Sequence, residues 1–365
     1  MIPAELYQDV YLIIVMLLVL FTIPSYKIQK NALLYQNENH KCIWLLIFFI
    51  FFIGLRPLSD VFADMPQYVG YLSYWKGLPF HVNFLVENKI YDNLMMFLAC
   101  NDFPYPLFYI LIAAIYFSCY YICFRKLFGN DILVVFILFL SAFMTFTSST
   151  NGIKAGAATA IFMIAVAYYE NWKVWLPILL VSWGFHHAMQ LLIVAFLLTK
   201  FYRNTYFYFY FWFFCLMCAT AHVTVFQTFF ADYTDEKGAS YLMGNETEWG
   251  GKNGFRIDFV LYSAMPVLVG YYAIIKKKFA DVFYERILSI YLIANSLWML
   301  CMYVPFNNRI AALSWGMYVV VLFYPVLRCA WPGNREMFFR KMALTHFGFT
   351  FAMHFIYYAF IHLNR

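Results

Sequence analysis

Long apolar runs recur along almost the whole chain. They fall at about 10–26, 42–55, 104–124, 131–149, 153–169, 206–228, 258–275, 286–304, 310–327 and 343–361, with one more at 174–200. In water such runs have no polar face to turn outward. In a bilayer each can form a helix that satisfies its own backbone hydrogen bonds. Of the 365 residues 64% are hydrophobic and 12% charged, against about 25% charged in ordinary globular domains. The expected fold is all-α: a polytopic integral membrane protein, with residues 1–365 forming a single membrane domain. The formal net charge of +6 then reflects membrane topology, and no nucleic-acid partner is implied. Residues 1–26 carry Glu5 and Asp9 in place of a basic n-region and show no small-residue cleavage site. They read as a first membrane helix and not as a signal peptide. Cys119 with Cys123 and Cys215 with Cys218 lack metal-site spacing and read as small buried hydrophobes. No metal and no cofactor is expected.

The run at 174–200 decides the topology. Read as two short helices broken near Trp183-Gly184-Phe185-His186-His187, it places about 16 of the 25 basic residues on the cytoplasmic side, Lys276-Lys277-Lys278 among them. Read as one helix, it turns that lysine run outward and drops the count to about 11. The broken version is adopted: about twelve transmembrane or half-membrane helices, both termini outside. The outer face then receives a long aromatic segment at 56–103, a second segment at 229–257, and short turns at 148–153, 185–188 and 305–309.

That face also collects Arg56, Asp64, Lys154, His186, Arg256 and Arg309, against the trend of the positive-inside rule. Charge near a bilayer is expensive and normally pairs with something or does something. Asp64-x-x-x-Tyr68 puts two polar side chains on one face of a helix. Asn151-Gly152-Ile153-Lys154 opens a helix rich in glycine and alanine, where Gly152 and Gly156 read as a small-residue packing pair. A lysine in the first turn adds to the positive end of the helix dipole and makes a site for phosphate. His186 lies at the break between two half-length helices, a place tolerated where the backbone is buried or lines a cavity. Adjacent His187 points about 100° away on a helix, so the two make a poor metal pair. Arg256 follows a glycine-containing acidic segment, and Arg309 opens a late helix after Asn307-Asn308. Arginine forks suit phosphate oxygens, and several suit a diphosphate. Four cations with one carboxylate, one histidine and many aromatics point to an anionic, lipid-linked substrate.

Taken in order, Arg56 with Asp64-x-x-x-Tyr68, Asn151-x-Ile153-Lys154, Phe185-His186 and Asn308-Arg309 resemble the EpsG family, from about residue 42 to 327. Its members are bacterial membrane proteins of exopolysaccharide, capsule and O-antigen clusters, generally taken as Wzy-type polymerases. They usually carry Asn-x-x-Arg-Gln where this chain has Asn151-Gly152-Ile153-Lys154-Ala155, and a Gly-Thr pair where it has Phe62-Ala63. Lysine keeps the charge and loses the bidentate fork.

The resemblance implies a membrane glycosyltransferase of the bacterial inner membrane, active on the periplasmic face, that joins undecaprenyl-diphosphate-linked repeat units. It also implies a flippase and a chain-length regulator as partners. On that reading His186, Asp64 and Arg309 are the expected catalytic residues. Arg56, Tyr68, Asn151, Lys154 and Arg256 are expected to bind substrate. Cations would stabilise charge on the departing lipid diphosphate, and His186, or else Asp64, would activate the acceptor hydroxyl. Two rivals share some of these features: an O-antigen-type ligase with a different acceptor, and a lipid-linked glycan transporter or flippase, whose broken helices look similar.

Overall fold

The computed structural model describes residues 2–27, 32–231, 254–278, 281–304, 307–328 and 334–363, with only the backbone at 32–37, 229–231 and 357–363. Every regular element among them is helical: α1 Tyr7–Thr22, α2 Ala32–Gly54, α3 Met65–Trp75, α4 Lys89–Cys100, α5 Tyr105–Phe128, α6 Ile132–Leu140, α7 Thr145–Thr150, α8 Ile153–Ala167, α9 Trp172–Phe185, α10 Met189–Phe201, α11 Thr205–Thr220, α12 Val225–Ala231, α13 Ile257–Tyr271, α14 Val282–Leu300, α15 Asn307–Trp315, α16 Tyr318–Arg328 and α17 Arg335–Leu363. Among the described residues four stretches are long and apolar enough to cross a membrane: Ala4–Thr22, Tyr105–Leu140, Ile257–Lys276 and Asn307–Arg328. Four shorter apolar helices, α8 to α11, join them. The residues divide into two compact units, 1–190 with 326–365, and 191–325. Most of the outer segment expected at 229–257, residues 232–253, lies outside the described residues.

In the first unit α8 packs between α5 and α9. Close approach is set by single glycines. A Cβ at Gly156 would stand 2.2 Å from the Ser148 carbonyl oxygen, and one at Gly54 would meet Ile110 Cα at 2.6 Å. A Cβ at Gly184 would meet the Ile90 side chain at 2.6 Å, so α4 lies hard against the end of α9. The expected pairing of Gly152 with Gly156 does not occur. Gly152 is the N-cap of α8 and a Cβ there would meet nothing, while Gly156 alone admits a neighbouring backbone.

The expected helix over 131–149 is two helices, α6 and α7, parted at 141–144. Three carbonyls at the break, those of Leu138, Phe139 and Leu140, are met by side chains. Thr145 Oγ1 donates to Phe139 O at 2.5 Å and Tyr11 OH to Leu140 O at 2.7 Å. Ser141 Oγ donates to Leu138 O at 2.8 Å, and His346 Nε2 lies 3.3 Å from that same oxygen. A break inside an apolar environment persists when side chains replace the lost ladder. The run at 310–327 likewise parts, at Gly316-Met317 between α15 and α16.

In the second unit polar side chains knit the helices. Trp212 Nε1 donates to Asn295 Oδ1 (2.8 Å), Asn295 Nδ2 to Ser314 Oγ (3.1 Å), and Trp315 Nε1 to Ser263 Oγ (2.8 Å). These bonds tie α11, α14, α15 and α13 together. Pro325 within α16 has no N–H for the Val321 carbonyl, and Tyr284 OH supplies that donor at 3.1 Å.

The expected outer segment 56–103 is not one long loop. It holds α3 and α4, and α4 is amphipathic: Tyr91, Met95, Met96, Leu98 and Ala99 are buried, Ile90 and Phe97 exposed.

Candidate functional site

Arg56 follows the last turn of α2 and is 4% exposed. Its Nη1 donates to Ile53 O at 2.9 Å and its Nη2 to Thr150 O at 3.0 Å, across to the end of α7. The guanidinium lies over the Tyr109 ring (4.5 Å to the centroid) and the Phe62 ring (5.5 Å). Burial pushes its pKa down to about 10, and the neighbouring tyrosines Tyr109, Tyr7, Tyr91 and Tyr68 oppose that shift. It is therefore charged at neutral pH. Its desolvation is offset by carbonyls and ring faces. Among the described residues no carboxylate takes part.

The Thr150 carbonyl that Arg56 holds precedes Asn151, Gly152 and the start of α8. Arg56 Nε, Tyr109 OH and Asn151 Oδ1 are among the polar atoms buried here without a hydrogen-bond partner. Lys154, second residue of α8, sits over the Tyr91 ring at 5.8 Å from Nζ to centroid, within cation–π range. Among the described residues neither Arg56 nor Lys154 has an ion-pair partner.

Tyr91 connects the parts. Its ring is 6.1 Å from that of Tyr68 on α3 and 6.1 Å from that of Phe185 at the end of α9. Tyr68 stands four residues after Asp64, whose carbonyl accepts the Tyr68 N–H at 3.3 Å, so the predicted single face is formed. Asp64 is the N-cap position of α3, although its side chain makes no capping bond. The structure thus brings Arg56, Tyr68, Asn151 and Lys154 around Tyr91 and Thr150, with His186 next to Phe185.

The break between α9 and α10 falls at His186-His187-Ala188, as expected from the sequence. His186 ends α9 with extended backbone, and its Nδ1 accepts the Ala188 N–H at 3.1 Å. His187 is held from α4's side: its N–H donates to Asn88 Oδ1 (3.0 Å), and its Nδ1 lies 3.1 Å from Glu87 Oε1 and 3.3 Å from Asn88 Oδ1. Asn88, 1% exposed, is fixed in turn by Asp92, whose Oδ2 accepts its N–H at 3.1 Å and its Nδ2 at 3.4 Å. The sequence marks Tyr91 only as one of many aromatics in the outer segment, and Tyr109, Glu87 and Asn88 not at all. The one local signal is Asn88 four residues before Asp92 at a helix start.

In the second unit Arg256, the N-cap residue of α13, is engaged by Asp258. Its Nε lies 3.0 Å from Oδ1 and its Nη2 2.6 Å from Oδ2, with the guanidinium 3.7 Å over the Phe259 ring. Arg309 is the third residue of α15 and is exposed. Among the described residues no group of three or more His, Cys, Asp or Glu side chains could hold a metal ion.

Long apolar helices, with polar groups gathered at helix ends, define a helical membrane protein. The EpsG family model matches residues 41–364, and the chain belongs to that family. Membership points to a polysaccharide polymerase-like function, consistent with a glycosyltransferase-like enzyme. No curated protein and no solved structure matches the chain.

Proposed function

We propose that the protein is a Wzy-type polymerase of the bacterial cytoplasmic membrane, crossing it about twelve times with both termini and the site on the outer face. It would join undecaprenyl-diphosphate-linked repeat units of an exopolysaccharide, capsule or O-antigen. The observation that carries this reading is the state of Arg56 and Lys154 within an EpsG-family chain: two cations facing tyrosine rings and no carboxylate. Positive charge left unneutralised at the positive end of α8 favours an incoming diphosphate.

In this reading the acceptor sugar's hydroxyl oxygen attacks the anomeric carbon of the donor. The bond to the lipid diphosphate breaks, and its electron pair leaves on the diphosphate oxygen. Lys154, with the buried charge of Arg56 behind it, stabilises that leaving group. Asn151 and Tyr68 contact the substrate. A base at the α9–α10 break, or Asp64, takes the hydroxyl proton. Within the second unit the exposed Arg309 offers a further anion-binding group, and Arg256 could do so only by exchanging Asp258 for substrate. A flippase delivering repeat units and a chain-length regulator are the expected partners.

The test is incubation of purified protein with its lipid-diphosphate-linked repeat unit, without nucleotide sugar, followed by gel analysis. A ladder spaced by one repeat unit, lost in Lys154→Gln and Arg309→Ala, is expected. Intact substrate in a single band would contradict polymerisation. Transfer to a different lipid or protein acceptor would then mark a ligase, and movement across vesicles without bond formation a transporter.

A further inference from the structure

The two histidines at the α9–α10 break are chemically different, because each Nδ1 faces a different kind of group. At His186 the Nδ1 accepts a backbone N–H, that of Ala188, at 3.1 Å. A nitrogen that accepts cannot carry the proton, so the neutral ring is protonated at Nε2 and can only donate from there. At His187 the Nδ1 faces two acceptors, Glu87 Oε1 at 3.1 Å and Asn88 Oδ1 at 3.3 Å. The Asn88 amide is oriented without ambiguity, since its oxygen accepts the His187 N–H while its Nδ2 donates to Asp92. Both neighbours require a proton on Nδ1 of His187, which leaves Nε2 with its lone pair. The ring is about half-buried, its side chain 42% exposed, so that lone pair is reachable.

We infer that His187, held by Glu87 and Asn88, is the general base that deprotonates the acceptor hydroxyl, and that neighbouring His186 is a hydrogen-bond donor. The inference rests on the polymerase reading above. His187 Nε2 takes the hydroxyl proton as the oxygen bonds to the donor's anomeric carbon and the lipid diphosphate departs with the electron pair. The Glu87 carboxylate stabilises the imidazolium so formed, and the proton then passes to water. A carboxylate holding an imidazole in its base tautomer is a recurrent arrangement in hydrolases. Here it is built by tying the start of α4 to a helix break. His186 occupies the motif position, but its tautomer is wrong for a base.

Two measurements test this independently. In detergent-solubilised protein labelled with 15N-histidine, at a pH where both rings are neutral, His187 should show its proton on Nδ1 and His186 on Nε2. Glu87→Gln should weaken the His187 assignment. The reverse tautomers would overturn the inference whether or not the protein polymerises in vitro. In the ladder assay His187→Ala should lose about 100-fold or more in turnover, with the donor KM little changed, and added imidazole should restore part of the loss. A structural role would give no imidazole rescue. If wild type forms a ladder and His187→Ala does so within threefold, the inference fails and the polymerase reading stands. If wild type forms none, it is the polymerase reading that fails.

Discussion

Arg56 in the first unit and Arg256 in the second are both arginines at helix ends, and their charges are met in opposite ways. Arg256 is gripped by both oxygens of Asp258 two residues later, with a phenylalanine ring beneath it. Its charge is cancelled by its own segment. Arg56 is more deeply buried and is held by two backbone carbonyls and a tyrosine face, so its charge survives. Lys154 follows the Arg56 pattern, lying over Tyr91. A carboxylate partner suits an arginine that anchors a helix end; tyrosine rings and carbonyls suit one that must keep a positive potential for something else. On the function proposed above, the first unit is where the anionic substrate has the most to gain.

The largest effect is expected at Arg56. Arg56→Met leaves the Thr150 carbonyl without its donor and the Ile53 carbonyl with only the residue-56 backbone N–H, and a loss of roughly 3 kcal/mol in stability is expected, along with activity. Thermal melting in detergent reads it. An unchanged melting temperature would mean the clamp between α2 and α7 is not structural. Next comes Gly156→Ala, whose Cβ would collide with the Ser148 carbonyl, at a cost of about 2 kcal/mol. Gly152→Ala, into open space, should stay within about 1 kcal/mol. Equal effects of the two alanines would restore the paired-glycine reading. Lys154→Gln should leave melting unchanged while turnover falls about 100-fold, and Lys154→Arg should retain most of it. The smallest effect belongs to Asp258→Asn, a partly exposed pair whose loss should cost no more than about 1 kcal/mol.

The helical fold was readable because membrane helices announce themselves by composition, and the break at 186–188 because only a split run kept Lys276-Lys277-Lys278 on the basic side. The split between α6 and α7 was not readable. Ser141-Ala142-Phe143-Met144 carries no proline or glycine, and part of what sustains the gap is supplied from α1 and α17, far away in sequence. In the candidate site, Arg56, Tyr68, Asn151 and Lys154 were legible as residue types out of place in an apolar chain. Their connection through Tyr91 was not, because in so aromatic a chain one tyrosine resembles any other. Nor does adjacency in sequence distinguish His186 from His187. Only the groups facing each Nδ1 do so, and Glu87 and Asn88 come from a segment about a hundred residues earlier.

The proposed function requires a positive site for a lipid diphosphate in the first unit. The most direct measurement is the affinity of purified wild type and Lys154→Gln for undecaprenyl diphosphate and for the uncharged polyprenol. Wild type should bind the diphosphate well ahead of the alcohol. The variant, at unchanged melting temperature, should lose about tenfold for the diphosphate, equivalent to about 1.4 kcal/mol, and nothing for the alcohol. Equal diphosphate affinity in the two proteins would contradict the account.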